Sequence, residues 1–117
     1  MPIKLIQSDD IAYIHRGGPP GHSEVGRAVS TDISSTMGAG VATFDQCSIA
    51  WTVLYDEVVY VIDGLFRLVS DGEVIEAKAG DIIWISEGTE LKYEGDNAKV
   101  FYAVYPGNWK EIHGLAG

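Results

Sequence analysis

Short apolar runs separated by glycine make up most of the chain, and almost none of them repeats at the 3.6-residue spacing of a helix. This pattern is typical of an all-β protein. Short strands are predicted at residues 3–6, 11–15, 25–33, 40–47, 57–63, 65–70, 73–78, 82–85, 91–94 and 99–105. So many short strands in one chain require a β-sandwich or a closed barrel.

The clearest turn signal is the pair Asp71 and Gly72, which lies between the apolar runs LFRLVS and EVIEAK. An Asp-Gly pair readily adopts the positive φ angles of a type I′ turn, so it predicts a β-hairpin here. Gly80 and Asp81 predict the next reversal of the chain. Residues 17–22, GGPPGH, are predicted to form a loop at the barrel rim, because their prolines exclude both a helix and a central strand.

The predicted strand that begins at Glu57 is apolar on both faces after its first residue, whereas a half-exposed antiparallel strand should alternate. Val58, Tyr60 and Ile62 therefore form an apolar outer face that a lone barrel would leave in water. Either a second subunit or the N-terminal segment could cover this face. We expect a homodimer.

Composition narrows the classes of partner. The chain has 117 residues, of which 46% are hydrophobic and 21% are charged. This length and composition are typical of a protein with one globular core. Its net charge of −9 repels phosphate backbones and anionic lipids, so neither nucleic acid nor a membrane is expected as a partner. The start of the chain lacks the apolar region of a signal peptide, which predicts a cytoplasmic location. Cys47 is the single cysteine, which excludes an internal disulfide.

Two stretches carry a resemblance to a known superfamily. Residues 56–64, DEVVYVIDG, resemble the first cupin motif, in which a glutamate and a glycine keep the spacing of Glu57 and Gly64. Residues 80–88, GDIIWISEG, resemble the second cupin motif, although Ser86 stands where a proline is usual. The resemblance implies a cupin fold, which is a double-stranded β-helix or jelly-roll barrel.

Four further segments are similar to the cupin domain of the ethanolamine-utilisation protein EutQ: MGAG at 37–40, AWTVLYDE at 50–57, AKAGD at 77–81 and YAVYPGNW at 102–109. This resemblance covers roughly residues 27–109. It implies a single cupin domain over 1–117, with N-terminal strands and the rim loop at 1–25, the barrel at 26–109 and a tail at 110–117. It also implies an accessory role in the metabolism of an amine or aldehyde of the ethanolamine type.

The chain departs from cupins at the metal site. A cupin metal centre takes two histidines from a His-x-His pair, the motif glutamate, and a histidine from the second motif. The His-x-His positions here hold Ala50 and Thr52, or Trp51 and Val53 with the shorter spacing, and the second-motif position holds Leu91, so only Glu57 remains. We therefore expect no metal and no cofactor. The histidines form no ligand spacing; those that could still reach a metal from elsewhere in the fold are His15 and His22, while His113 lies in the tail.

Glu57 is the candidate centre of a site, because a carboxylate that points into an apolar barrel must find hydrogen-bond donors or keep its proton. It could act as a general acid or base or anchor a ligand. It could also be a structural carboxylate, satisfied by neighbouring hydroxyl groups. We predict that a ligand binds inside the barrel at Glu57, with these neighbours: Thr52, Tyr55, Leu91, Tyr93 and Tyr105.

Three functional hypotheses follow. The chain could be a metal-independent cupin that binds a small molecule, or a small enzyme that uses Glu57 for isomerisation or hydrolysis; the resemblance to EutQ adds phosphoryl transfer to acetate. It could also be a structural dimer without an active site. No Gly-rich phosphate loop of the GxxxxGKS type is present in the sequence. The volume of the barrel interior around Glu57 distinguishes a filled structural barrel from the other two.

Overall fold

Eight antiparallel strands form one continuous sheet in the computed structural model, which describes residues 2–115. The strands are β1 Tyr13–Gly17, β2 His22–Val29, β3 Gly38–Asp45, β4 Ser48–Thr52, β5 Asp56–Ser70, β6 Glu73–Lys78, β7 Ile82–Ile85 and β8 Glu90–Tyr105. A 3-10 turn at Ser8–Asp10 precedes them, and a single helical turn, α1 at Trp109–Ile112, follows. The predicted all-β class is confirmed.

The two long strands close the sheet around one core. The path runs β1-β2-β3-β8-β5-β6, while β4 pairs with β8 and β7 pairs with β5. The first part of β5 therefore lies between β7 and β8, and its second part lies between β6 and β8. Bulges between Val61 and Leu65 bend β5 at the point where its partner changes. The innermost side chains of the core are almost fully buried; they are Phe66, Val53, Val59, Val61 and Val100.

Most predicted strands are present, and their errors have a common cause. Residues 73–78 and 82–85 form strands with the predicted bounds. The predicted pairs 57–63 with 65–70, and 91–94 with 99–105, are instead the single strands β5 and β8, because bulges bend a strand without ending its pairing. Strand β4 was not predicted. Residues 3–6 form no strand, and Ile3 and Leu5 are 80% and 77% exposed, since no neighbouring strand pairs with them.

The hairpin between β5 and β6 confirms the predicted turn. Asp71 and Gly72 both have positive φ angles, 51° and 78°, as a type I′ turn requires. Gly64 also has a positive φ, of 73°, and a Cβ at this position would clash with the carbonyl oxygen of Asn97. The motif glycine therefore allows the bend in β5 that brings the sheet around the core.

The outer face of β5 is apolar and uncovered by the described residues. Val58, Tyr60 and Ile62 are 40%, 43% and 43% exposed. The face continues onto the neighbouring strands, where Val58 pairs with Trp84 and Ala103, and Tyr60 pairs with Ile82 and Phe101. We call these seven side chains the apolar outer face. Val58, Tyr60 and Ile62 stay exposed, so the N-terminal residues from Pro2 onward do not cover the apolar outer face.

Candidate functional site

The carboxyl group of Glu57 lies inside the barrel. Glu57 is the second residue of β5, its neighbours Val59 and Val61 on the same face are buried, and Glu57 itself is 6% exposed. The strand lies between β7 and β8 at this point, because Glu57 pairs with Ile85 on one side and Val104 on the other. The alternation of the motif strand therefore determines the inward direction of the carboxyl group, as predicted.

Burial changes the protonation of Glu57. Desolvation raises the pKa of its carboxyl group to about 7, although a hydrogen bond from Tyr93 and the positive charge of Arg16 act in the opposite direction. The Tyr93 hydroxyl donates to Oε1 of Glu57 at 2.9 Å. Burial, followed by the negative charge of Glu57, also raises the pKa of Tyr93. At neutral pH the pair is therefore a phenol that donates to a carboxyl group poised between its neutral and charged forms.

A cavity of about 70 Å³ opens beside Glu57. That volume is room for roughly five water molecules or one organic molecule of a few heavy atoms. Its apolar wall consists of side chains from several strands, among them Val25, Ala42, Phe44, Val59, Phe66, Val100 and Val104. Its ionisable side chains converge from β1, β2, β5, β8 and the segment before β5, and they are Arg16, Arg27, Glu57, Tyr93, Tyr102 and Tyr55. The barrel is therefore not completely filled.

Aromatic packing holds the polar groups of the cavity in place. The ring of Tyr93 stacks on Phe44 at a centroid distance of 5.4 Å, which fixes the hydroxyl next to Glu57. The indole Nε1 of Trp51 donates to the Tyr55 hydroxyl at 3.2 Å. Trp109, in α1, lies 5.2 Å from the Tyr55 ring and 5.9 Å from the Trp51 ring, centroid to centroid. The end of the chain thus contributes one wall of the cavity.

Two tyrosines besides Tyr93 remain neutral donors at ordinary pH. Burial raises the pKa of Tyr102 to about 12, and burial followed by the charge of Glu57 raises the pKa of Tyr55. Tyr102 pairs directly with Gly40, where a Cβ would lie 2.7 Å from the Tyr102 hydroxyl oxygen. Glycine at this position therefore leaves the space that the Tyr102 ring occupies beside the cavity.

Arg16 is the cavity residue that the sequence did not reveal. Its guanidinium lies over the rings of Tyr93 and Trp51, at 5.2 Å and 5.9 Å from their centroids. The sequence shows no cation next to Glu57, whereas the fold brings the Arg16 guanidinium to the same cavity. Arg16 lies far before Glu57 in the chain. It reaches the barrel interior only because β1 pairs with β2. An arginine directly before the rim loop was the available signal.

The structure brings two of the five predicted neighbours to Glu57 and leaves three elsewhere. Tyr55 and Tyr93 line the cavity, whereas Thr52, Leu91 and Tyr105 do not. Thr52 is exposed, and with the buried Leu91 it borders a separate open groove next to β4. The structure therefore does not bring Thr52 and Leu91 to the cavity at Glu57. Thr52 is exposed at the end of β4, and Leu91 is buried in the core two residues before Tyr93 but is not among the residues that line the cavity.

Tyr105 points outward because the alternation of β8 shifts along its length. The buried positions of β8 are odd-numbered up to Gly95 and even-numbered from Ala98 onward. An irregularity opposite Gly64 causes this change, since Asp63 pairs with Lys99 while Leu65 pairs with Asp96. Tyr93 therefore points inward, and Tyr105, 57% exposed, lies on the outside.

The donor groups in the cavity do not suit a transition metal. Glu57 is the one carboxylate among the described residues that line the cavity, and its partners are tyrosine hydroxyls that keep their protons. The guanidinium of Arg16 would in addition repel a cation. Residues 2–115 contain no group of three or more His, Cys, Asp or Glu side chains arranged to bind a metal.

The two histidines considered as replacement ligands lie at the rim. The rings of His15 and His22 are 5.8 Å apart, and Nε2 of His22 lies 3.6 Å from Oε2 of Glu24. Both histidines are exposed, and neither lines the cavity with Glu57. Neither imidazole therefore lies at the predicted site around Glu57. His113, immediately after α1, is also exposed.

Comparison with known proteins identifies relatives over most of the chain. The family model of ethanolamine utilisation protein EutQ matches residues 1–111. Acetate kinase EutQ of Escherichia coli (strain K12) is 29% identical over 113 residues, which are 94% of this chain and 48% of the relative. Acetate kinase EutQ of Clostridioides difficile (strain 630) is 34% identical over 77 residues, which are 65% of this chain and 49% of the relative. The chain thus spans about half the length of these relatives.

Solved structures agree with this relationship. A crystal structure described as an ethanolamine utilization protein Q from Salmonella typhimurium LT2 superimposes with a TM-score of 0.81 at 28% identity, covering 91% of this chain and 88% of the other. An RmlC-like cupin from Shewanella frigidimarina, at 15% identity and a TM-score of 0.71, covers 87% of this chain and 89% of the other and shows the shared fold alone. The cupin fold expected from the two motifs is confirmed. Within residues 2–115, no helix has the length and apolar character to span a membrane.

Proposed function

The chain belongs to the family of the ethanolamine utilisation protein EutQ, and we propose that it is a cupin that binds a small molecule in the barrel without a metal. The family relationship supports a role related to ethanolamine utilisation, and we propose that this role is accessory to amine or aldehyde metabolism. The observation that supports binding is the cavity, in which one carboxyl group, three tyrosine hydroxyls and two guanidinium groups converge. A structural dimer with a filled barrel would have no need of this arrangement.

Glu57 is the polar centre of the proposed site. Among residues 2–115, its Oε1 accepts the hydrogen bond from Tyr93, and its Oε2 has no such partner. Since the pKa of the carboxyl group lies at about 7, the group can either donate a proton to a bound molecule or accept one from it near neutral pH. This property suits ligand recognition and acid-base chemistry equally, so an isomerase or hydrolase activity rests on the same residue.

Substitution of Glu57 by glutamine tests the proposed site. A thermal-shift screen of the wild-type protein against small carboxylates, amines, aldehydes and nucleotides identifies a ligand, because binding to the folded state raises the melting temperature. We expect Glu57→Gln to lower the affinity for that ligand at least about tenfold, since hydrogen bonds to charged groups contribute more to binding than hydrogen bonds between neutral groups. Tyr93→Phe should have a smaller effect.

The matched control is Glu73→Gln, an exposed carboxylate on β6 that should leave binding unchanged. Equal affinity of wild type and Glu57→Gln would contradict a site at Glu57. If the ligand instead stabilises the protein by binding in the groove beside Thr52 and Leu91, the binding site lies in that groove and not at Glu57.

Metal independence is tested by elemental analysis of the purified protein. We expect well below one equivalent of nickel, zinc, iron, manganese or copper after dialysis against a mild chelator, because the described residues that line the cavity include one carboxylate and no imidazole. Chelator treatment should also leave ligand binding unchanged. Retention of about one equivalent would show that His15 or His22 had been recruited as a ligand.

Phosphoryl transfer to acetate is a second candidate, supported by the name of the curated relatives and by the two arginines at the cavity. In this reaction an acetate oxygen would attack the γ-phosphorus of a nucleoside triphosphate, and the diphosphate would leave with the electrons of the broken P–O bond. Guanidinium groups suit the negative charge on the transferred group. Acetate-dependent formation of acetyl phosphate and diphosphate, lost in Glu57→Gln, would distinguish catalysis from binding alone.

We also propose that two copies associate through the apolar outer face. The face spans β7, β5 and β8 and contains no charged residue among its seven members, so it complements a second copy of itself. The alternative cover, the N-terminal segment, leaves these side chains exposed. The site and the face lie on opposite sides of β5, because Glu57 and Val58 alternate along it.

A further inference from the structure

Arg16 has a buried donor with no hydrogen-bond partner among the described residues. Its Nε atom is inaccessible to solvent, and among residues 2–115 no acceptor lies within hydrogen-bonding reach. The four ion pairs between described residues are His22 with Glu24, Arg67 with Glu94, Arg67 with Asp96, and Lys78 with Asp81, none of which includes Arg16. Leaving a buried N–H of a charged group unpaired is unfavourable, so such a group is a candidate for binding a ligand.

A β-bulge directs Arg16 toward the cavity. His15 pairs with Glu24 and Gly17 pairs with Ser23, so β1 contains one more residue than β2 between these two pairs. The extra residue is Arg16. Bulges change the direction of a side chain and are common beside functional sites. The stacking of the guanidinium on Tyr93 and Trp51 then holds it at the cavity.

The charges that face Arg16 leave it largely uncompensated. Glu57 is the acidic side chain among the described residues that line the cavity, and Arg27 adds a second positive charge from β2. Burial favours the neutral form of the Glu57 carboxyl group, and no atom of that group lies within ion-pair distance of Arg16. When Glu57 holds its proton, the cavity therefore has a net positive charge although the protein as a whole carries −9.

We propose that Arg16 binds the oxyanion group of a small ligand, a carboxylate or a phosphate, through its guanidinium group. This inference deepens the proposed function and rests on the cavity being a binding site. The planar fork of a guanidinium matches two oxygens of a carboxylate or phosphate, and its contacts to such groups are charge-assisted. A cavity of about 70 Å³ limits the ligand to a few heavy atoms next to that group.

The experiment compares Arg16→Gln and Arg16→Lys with Arg67→Gln. Arg67 lies on β5 outside the cavity and pairs with Asp96, so Arg67→Gln removes the same charge without touching the site. The probes are acetate, inorganic phosphate, and acetamide as a neutral molecule of the shape of acetate. Binding is measured by calorimetry and by tryptophan fluorescence, since Trp51 lies next to Arg16. Thermal melts establish that each variant is folded.

We expect the wild type and Arg67→Gln to bind acetate or phosphate and to bind acetamide far more weakly. Arg16→Gln should lose affinity for the oxyanion by about tenfold to a hundredfold, the range for hydrogen bonds to charged groups. Arg16→Lys should lose less affinity, because lysine keeps the positive charge but lacks the planar guanidinium group. Preference for acetate over phosphate, or the reverse, tells the two oxyanions apart.

Several results would overturn the role of Arg16. One is equal oxyanion affinity in wild type and Arg16→Gln; another is a wild type that binds acetamide as well as acetate. The third is a wild type that binds neither oxyanion up to tens of millimolar. A ligand from the thermal-shift screen that depends on Glu57 but not on Arg16 would refute this inference and leave the proposed function intact.

Discussion

Glutamine in place of Glu57 is expected to make the protein more stable than the wild type in alkaline solution and to remove most of the pH dependence that this residue imposes. The carboxyl group has a pKa of about 7 in the folded protein, against 4.5 for the unperturbed group, chiefly because it is buried. Between these values the folded state binds more protons than the unfolded state. Its free energy of unfolding therefore falls as the pH rises.

The stabilisation by the protonated carboxyl group is complete below pH 4.5 and is lost as the pH rises through about 7. A shift of this size corresponds to about 3 kcal/mol. Glutamine stays neutral at every pH, so the unfolding free energy of Glu57→Gln minus that of the wild type should increase by about this amount from acid to alkaline solution. Denaturant unfolding at a series of pH values measures the difference.

Glu73→Gln again serves as the control, because it removes an exposed carboxylate on β6, outside the cavity. A difference between Glu57→Gln and wild type that does not vary with pH would mean that the carboxyl group of Glu57 is ionised in the folded protein near neutral pH. In that case Arg16 would pair with Glu57 rather than remain available for a ligand. The measurement therefore also bears on the proposed anion site.

The second large effect concerns the apolar outer face, where Trp84→Glu is expected to convert a dimer into a monomer. Trp84 is 61% exposed and lies beside Val58, on β7 at one edge of the face. A tryptophan that becomes buried in an interface often contributes 2 kcal/mol or more. A twofold dimer contains the substitution twice, so a loss of about 4 kcal/mol, or roughly a thousandfold in the dissociation constant, is expected.

Sedimentation or light scattering at micromolar concentration measures the effect. The wild type and the control Val74→Glu should both have about twice the monomer mass of 12.7 kDa, and Trp84→Glu should have the monomer mass. Val74 is a fair control, because it is 60% exposed and apolar but lies on β6, near the opposite end of β5. A monomeric wild type would contradict the proposed dimer and leave the outer face without its proposed partner.

The open cavity favours the binding and enzyme hypotheses over the structural dimer. A completely filled barrel would favour a structural dimer, whereas polar groups converging on a cavity favour binding or catalysis. Glu57, Tyr93 and Arg16 converge there from β5, β8 and β1. Because the chain spans about half the length of its curated relatives, the activity in their name does not transfer with the fold alone.

The sequence by itself determined the features that depend on local alternation and turn chemistry. The period-two pattern of the motif strand directs Glu57 into the barrel, with Val59 and Val61 buried beside it. The Asp71-Gly72 pair forms the predicted hairpin turn. These features were predictable because the physical cause, backbone geometry, acts over a few neighbouring residues.

Only the tertiary structure decided which distant side chains meet at Glu57. An irregularity in β8 reverses the alternation between Tyr93 and Tyr105, so one points inward and the other outward. A bulge in β1 turns Arg16 into the cavity, and the helical turn after β8 adds Trp109. A single extra residue changes the face of every position that follows it, and the pairing of strands far apart in the chain decides where that residue is accommodated.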